Sequence, residues 1–325
     1  MTTFKELRGT AIQAVSSDPS NPEEGQIWYN SSSGTLKGYL NTGIGAWSSG
    51  SNLPTGTQSG AGAGTQTSAL AFGGTTSPGT STGASYSYNG SAWTSTPSMN
   101  TTRKLFAGSG ASNTSAIAAT GYFDSPPYNR VESESFNGTS WTNLPNVSTA
   151  AAFITGTGTQ TAFLAFAGQG VPGAVAISWN GSSWTNISNL NTPRINAAAA
   201  GIQTAALGFG GYNAGFKNNT ESWNGSAWTS VNSLNTARSS LSGSGTQTLA
   251  LAFGGNTGSN TTATELWNGT SWTSSPTGLV NARAEAFPSQ QGTQAAALVT
   301  GGSPFRNSTE IWTYPVIGTK TLTVS

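Results

Sequence analysis

The chain contains no cysteine and no histidine in 325 residues. Without Cys there is neither a disulfide staple nor a thiolate nucleophile; without His, the commonest general base and the commonest metal ligand are gone. Charge is scarce too: 7% of residues are Asp, Glu, Lys or Arg, and the net charge is +1. That leaves no electrostatic footprint for nucleic acid or an anionic membrane. No apolar run approaches the roughly 18 residues of a membrane span, and Met1-Thr-Thr-Phe-Lys-Glu-Leu-Arg8 has no apolar stretch, so a chain made without a Sec-type leader and without membrane insertion is expected.

What is abundant is Gly, 43 residues of it, with many Ser, Thr, Asn and Ala. Such a mixture alone reads as low complexity, but regularly placed aromatics supply the core that a disordered chain lacks. Ile177-Ser-Trp179-Asn-Gly-Ser-Ser-Trp184 returns as Tyr88-Asn-Gly-Ser-Ala-Trp93, Phe136-Asn-Gly-Thr-Ser-Trp141, Trp223-Asn-Gly-Ser-Ala-Trp228 and Trp267-Asn-Gly-Thr-Ser-Trp272. Asn-Gly between aromatic runs signals a β-hairpin with a two-residue type I′ turn. That turn would place Trp179 opposite Ser182 and Ile177 opposite Trp184, with both tryptophans on one face of the sheet. Recurrence at one repeat position makes these rings core rather than a sugar-stacking stripe. The turn also accounts for the Asn-Gly-Ser/Thr glycosylation sequons.

With Trp47 the series runs 47, 93, 141, 184, 228 and 272, spacings of 46, 48, 43, 44 and 44, and a period of that size means a propeller or a solenoid. Upstream of the hairpins recur Leu70-Ala-Phe72-Gly-Gly, Leu164-Ala-Phe166-Ala-Gly, Leu207-Gly-Phe209-Gly-Gly, Leu251-Ala-Phe253-Gly-Gly and Leu298-Val-Thr-Gly301-Gly. An apolar strand ending in Gly-Gly, an aromatic strand, a turn and a Trp strand, often with an Arg, resembles the kelch repeat. The resemblance covers nearly everything after residue 25. It implies an all-β fold, a β-propeller of four-stranded antiparallel blades.

Residues 1–24 fall outside the repeat and hold Lys5, Glu6, Arg8, Asp18, Glu23 and Glu24, 6 of the 23 charged residues. They read as a separate N-terminal arm, with the propeller spanning 25–325. Gln26–Asn30, Thr35–Leu40 and Ala46-Trp47-Ser48 read as strands of an incomplete first blade. In the fifth fuller unit the strands are expected at 238–243, 249–253, 264–267 and 271–274. The 301 residues from 25 onward are close to seven periods of 44, so seven blades are favoured over six, with the chain ends meeting to close the ring.

Four units pair an Arg at the start of the first strand with a Glu in the third: Arg103 with Glu134, Arg194 with Glu221, Arg238 with Glu265, Arg283 with Glu310. Two units lack both, with Tyr86 and Ile177 at the Glu position. Joint presence and joint absence within one chain point to four buried, charge-assisted pairs. The turn register would set Glu134, Glu221 and Glu265 opposite Trp141, Trp228 and Trp272.

The connections between second and third strands vary most, and variable loops on a rigid scaffold carry binding. Candidate contact residues are Tyr122, Phe123, Asp124, Tyr128, Arg130, Tyr212, Phe216, Lys217, Phe305 and Arg306, with Gly170-Val-Pro-Gly173 as a further loop. Nothing in the sequence supplies a nucleophile with its base or a metal cluster, so no catalytic residue, cofactor or metal is assigned. The kelch-type oxidases use a copper site of Cys, Tyr and His, which this composition excludes, and the hairpins carry Asn where the sialidase Asp-box has Asp.

Phe4-Lys-Glu-Leu-Arg-Gly-Thr-Ala-Ile-Gln-Ala-Val15, then Pro22-Glu-Glu-Gly-Gln-Ile-Trp-Tyr-Asn30 ahead of Gly-, Thr- and Asn-rich repeats, is similar to structural proteins of tailed phages, especially marine ones. This implies a non-enzymatic virion component assembled in the host cytoplasm in multiple copies. Such a protein would dock on other virion proteins through residues 1–24, sit in the tail or fibre, and face a host-surface glycan or receptor. A capsid surface decoration, or a free bacterial kelch adhesin or scaffold, are the alternatives.

Overall fold

The structure is a computed structural model; it describes residues 12–20, 26–40, 45–77, 79–169, 175–314 and 318–322, with backbone alone at 39–40 and 318–320. Among these residues there is no helix. Strands assemble into seven four-stranded sheets and one two-stranded ribbon, Thr75–Thr76 with Thr80–Ser81. Contacts divide the chain into two compact units, residues 1–45 with 314–325, and residues 46–313.

The first unit is one sheet of strands Gln13–Val15, Ile27–Asn30, Thr35–Leu40 and Gly318–Thr321 in that order. Its first pair runs parallel and the other two antiparallel. Trp28 is fully buried. The Asp18 carboxylate holds the sheet from outside the strands, accepting from Trp28 Nε1 at 3.1 Å, Asn30 Nδ2 at 2.7 Å and Lys37 Nζ at 2.8 Å. The strands at 27–30 and 35–40, expected to open the propeller, therefore belong to this sheet. The expected boundary at residue 24 falls inside the unit. Lys5, Glu6, Arg8, Glu23, Glu24 and the loop 170–173 lie outside the described residues.

The second unit contains six antiparallel sheets of four strands. The first is Ala61–Thr65, Ser68–Phe72, Ser85–Tyr88 and Trp93–Thr96. The second is Ala107–Ser112, Ser115–Ala119, Ser133–Phe136 and Trp141–Leu144. Thr155–Gly158, Phe163–Gly168, Val175–Trp179 and Trp184–Asn186 make the third, and Ala198–Ile202, Ala205–Phe209, Thr220–Trp223 and Trp228–Val231 the fourth. The fifth is Ser242–Gly245, Ala250–Phe253, Thr264–Trp267 and Trp272–Ser274. The sixth takes three strands from late in the chain, Phe287–Pro288, Ala296–Thr300 and Thr309–Thr313, and its fourth, Ala46–Gly50, from before the first sheet. There Trp47 stands opposite Trp312, as Trp272 stands opposite Trp267.

Three cycles of hydrogen bonds tie the six sheets together, and each returns to its start. In the first, Ser59 N–H donates to Glu285 O, Glu285 to Ser240, Ser240 to Asn196, Asn196 to Phe153, Phe153 to Leu105 and Leu105 to Ser59, at 2.7–3.0 Å. These six residues precede the first strands and all have positive φ, 51–60°. In the second cycle, each fourth-strand indole N–H reaches the preceding sheet: Trp93 to Thr309, Trp141 to Pro97, Trp184 to Pro145, Trp228 to Ser188, Trp272 to Thr220 and Trp47 to Thr264. In the third, a turn amide donates to the carbonyl of the aromatic residue at or next to the end of the preceding sheet's third strand: Gln66 to Trp312, Asn113 to Tyr88, Gln160 to Phe136, Gln203 to Trp179, Gln247 to Trp223 and Gln294 to Trp267. The arrangement is consistent with a β-propeller.

Five of the six first strands are built largely from Gly, Ala, Ser and Thr, which lets them approach one another closely. A Cβ on Gly62 would strike the carbonyl oxygen of Pro288, and one on Gly243 that of Ala199, each in a neighbouring sheet. Farther out, a second-strand Phe meets the next sheet's Trp: Phe72 with Trp141 at 5.1 Å, Phe166 with Trp228 at 4.7 Å, Phe209 with Trp272 at 4.9 Å and Phe253 with Trp47 at 4.9 Å between centroids. Ala119 occupies the Phe position in the second sheet, and Trp184 opposite it is the fourth-strand Trp left only partly buried. The other five are 5–9% exposed.

The hairpin register differs from the expectation. Trp179 pairs with Trp184 and Ile177 with Asn186, around a four-residue loop. The same holds for Trp223 with Trp228 and Trp267 with Trp272. The physical reason lies in the Asn side chain. Asn180 Oδ1 accepts the backbone N–H groups of Ser182 at 3.0 Å and Ser183 at 2.9 Å, while Gly181 alone takes positive φ, 95°. Asn here supplies an acceptor rather than a left-handed backbone. The two tryptophans still share a face, at 5.1 Å.

Consequently Glu134, Glu221 and Glu265 stand opposite Asn143, Ser230 and Ser274, not opposite tryptophans. Their carboxylates meet Arg103, Arg194 and Arg238 at 2.5, 2.6 and 2.6 Å, and Glu310 meets Arg283 at 2.5 Å. All eight side chains are 0–1% exposed. Each Glu also accepts a backbone N–H from the loop before its Arg, from Asn100, Asn191, Asn235 and Val280 at 2.6–2.7 Å. The pair thus ties the loop that enters each sheet to that sheet's third strand. Burial pushes the four guanidinium groups below the usual arginine range, opposed by the facing carboxylates.

Candidate functional site: a loop face around an axial cavity

The six residues of the backbone ring, Ser59, Leu105, Phe153, Asn196, Ser240 and Glu285, line one cavity of about 100 Å³ in the second unit. Gln290 also lines it; its buried amide reaches from the sixth sheet to Ala199 O in the fourth at 2.9 Å. The walls between are mainly Gly and Ala of the first strands, with Ile154 and Leu241. Among the described residues no group of three or more Asp and Glu is placed to hold a metal ion.

One step outward, the residue before each ring position bridges the residue after the glycine pair, or after its Thr120-Gly121 or Ala167-Gly168 equivalent: Gln58 with Thr75, Lys104 with Tyr122, Ala152 with Gln169, Ile195 with Tyr212, Ser239 with Asn256 and Ala284 with Ser303. This fixes where the variable loops depart. Tyr122 lies between Tyr128, stacked on it at 5.4 Å and 8°, and the ring residue Phe153 at 6.3 Å. Tyr128 is 47% exposed. The Lys104 ammonium sits 5.6 Å over the Tyr122 ring and bonds Asp124 at 2.7 Å and Gly79 O at 3.2 Å. Lys104, followed by the backbone N–H of Ser81, holds the Asp124 carboxyl below its ordinary range.

Phe123 does not join this surface. It is 7% exposed, beneath the guanidinium groups of Arg130 at 4.6 Å and Arg103 at 5.6 Å. A loop aromatic followed by Asp-Ser-Pro-Pro looks free in the sequence, yet two cations over one ring make it the packing core of its loop. Arg130 pairs with Glu132 at 3.2 Å. On the fourth sheet Tyr212 and Phe216 meet edge to face at 5.6 Å, both exposed, beside a partly buried Lys217. Phe305 and Arg306 are partly buried in the sixth sheet's loop, where Phe305 N–H donates to Gln58 Oε1 at 3.2 Å. Among the described residues no ring contact joins the three loops. The predicted residues therefore form three separate patches, of which the Tyr122–Tyr128 patch touches the cavity-lining Phe153.

Neither protein-family models nor curated proteins match this chain. Sequence reasoning passed over Lys104, Phe153 and the remaining ring positions. A signal existed: Leu105, Asn196, Ser240 and Glu285 each stand two residues after a paired Arg, so the Arg–Glu pattern marks the axial position as well.

Proposed function

We propose that the chain is a non-enzymatic structural component of a virus particle, whose second unit is a six-bladed kelch-type propeller that binds a host-surface glycan or protein through its variable loop face. Six blades are favoured over seven by the three six-membered cycles of hydrogen bonds and by the Trp47–Trp312 pairing, which supplies the sixth sheet from both ends of the unit. The observation that carries the binding reading is the Tyr122–Tyr128 stack, with Tyr128 open to solvent, beside Lys104 and Asp124 and against the cavity-lining Phe153. A flat, exposed aromatic face flanked by donors and acceptors suits a sugar ring or a protein anchor. The particle reading rests on the N-terminal segment and its resemblance to phage proteins, with residues 1–24 as the anchor to other virion proteins.

Two measurements test this. Purified chain applied to a glycan panel and to intact bacterial cells is expected to bind saturably. Tyr128→Ala should lose that binding without moving the unfolding midpoint; retention of full binding by Tyr128→Ala would refute the loop-face assignment. Deleting residues 1–24 should abolish incorporation into particles while the second unit stays folded, whereas a free adhesin or scaffold keeps its activity after the same deletion.

A further inference from the structure

The cavity mouth is chemically two-sided. Going round the ring, the order is Ser59, Leu105, Phe153, Asn196, Ser240, Glu285. Glu285 is flanked by Ser59 and Ser240, and the residue three steps away, across the mouth, is Phe153, with Leu105 beside it. The Ser59 hydroxyl donates to Glu285 Oε2. Among the described residues no Lys or Arg lies within 4 Å of the Glu285 carboxylate. It is the one ring carboxylate, in a chain whose Arg194, Arg238 and Arg283 are already committed to other glutamates. Arg283, two residues from Glu285 in sequence, is bonded to Glu310, and Lys104, next to the ring residue Leu105, to Asp124.

We propose that this mouth binds a primary alkylammonium group. The ammonium lies against the Glu285 carboxylate between the Ser59 and Ser240 hydroxyls, and the aliphatic chain lies along Leu105 and Phe153. A carboxylate without a cation at the edge of a half-enclosed cavity favours a positive ligand. An aromatic face across from it adds a cation–π contribution and covers methylene groups. Three donors on an ammonium match one carboxylate and two hydroxyls. A lysine side chain of another protein and a free aliphatic amine share this chemistry. The inference stands independently of the particle reading, because it concerns the axial mouth rather than the Tyr128 surface or residues 1–24.

Ligand-observed NMR titrations of the full chain test it, using n-butylammonium and Nα-acetyl-lysine methylamide against n-butanol and Nα-acetyl-norleucine methylamide. Both ammonium probes are expected to bind saturably, about tenfold or more tighter than their uncharged counterparts. Glu285→Gln, which keeps an acceptor for Ser59, should erase that preference, and Phe153→Leu should weaken both ammonium probes; unfolding midpoints confirm that each variant is folded. Tighter binding of the capped lysine identifies a protein side chain as the source, and tighter binding of butylammonium a free amine; either upholds the assignment. Equal binding of the uncharged probes, no saturable binding of either ammonium, or an unchanged preference in Glu285→Gln overturns it.

Discussion

Arg238 and Glu265 are bonded at 2.6 Å with side chains 0–1% exposed, and the Arg238 Nε has no partner. Such a pair is weak evidence of stabilisation in itself, because desolvation offsets much of the attraction; removing one partner is costly because the other stays buried and charged. Glu265→Ala is therefore expected to lower stability by about 3–5 kcal/mol, measured by denaturant unfolding. The double variant Arg238→Met with Glu265→Leu should recover most of the loss, as the third sheet, with Ile177 at the Glu position, already does without a pair. In the first unit Asp18 behaves differently, being exposed. Its carboxyl is lowered from 3.8 to about 2, first by Lys37 and then by Asn30 and Trp28. A carboxyl whose folded pKa lies below its unfolded value stabilises above the unfolded pKa, and that contribution is lost as pH falls through the folded one. The first sheet should therefore loosen between about pH 4 and pH 2, and carboxyl-carbon NMR should show Asp18 titrating near 2, moving upward in Lys37→Met.

At the level of the hairpin, the Asn-Gly turn was legible as a turn but not as to its type. Asn-Gly fits a two-residue turn by backbone and a four-residue loop by side chain, and only the positions of the partner amides distinguish them. Asn224 Oδ1 receives Ser226 N–H at 3.0 Å and Ala227 N–H at 2.9 Å. Asn224→Ala should thus cost about 1 kcal/mol through those two lost bonds, readable as a fall in unfolding midpoint, while Ser226→Ala, which removes one exposed hydroxyl bond to the same oxygen, should change little. The wrong register moved the glutamates off their true partners on the fourth strand. It left the same-face placement of the tryptophans intact, because two residues of displacement preserve the alternation of side chains. Phe123 shows the opposite limit: its burial depends on Arg103 and Arg130, one from another segment, and no local pattern announces such a contact.

For the second unit as a whole, the repeat length and the Trp series made six repeat units visible, but Trp47 read as part of an incomplete first blade, whereas it lies on the fourth strand of the sixth sheet. The total length did not reveal that residues 12–40 belong to a separate sheet, since Ile27–Asn30 and Thr35–Leu40 are as strand-prone as any repeat strand. The axial mouth was illegible for a different reason. Its six residues share a backbone conformation, not a side-chain type, so they leave no composition signal beyond their fixed offset from the paired arginines. Closure across the sixth and first sheets rests on Ser59 N–H to Glu285 O at 2.9 Å, Trp93 Nε1 to Thr309 Oγ1 at 2.9 Å and Gln66 Nε2 to Trp312 O at 2.6 Å. Native-state hydrogen exchange of the six ring amides measures that closure directly. If the ring is sealed, the amides of Ser59, Leu105, Phe153, Asn196, Ser240 and Glu285 exchange together, only through global unfolding of the unit. Exchange of Ser59 through local opening, far faster than Asn196 on the opposite side, would contradict it.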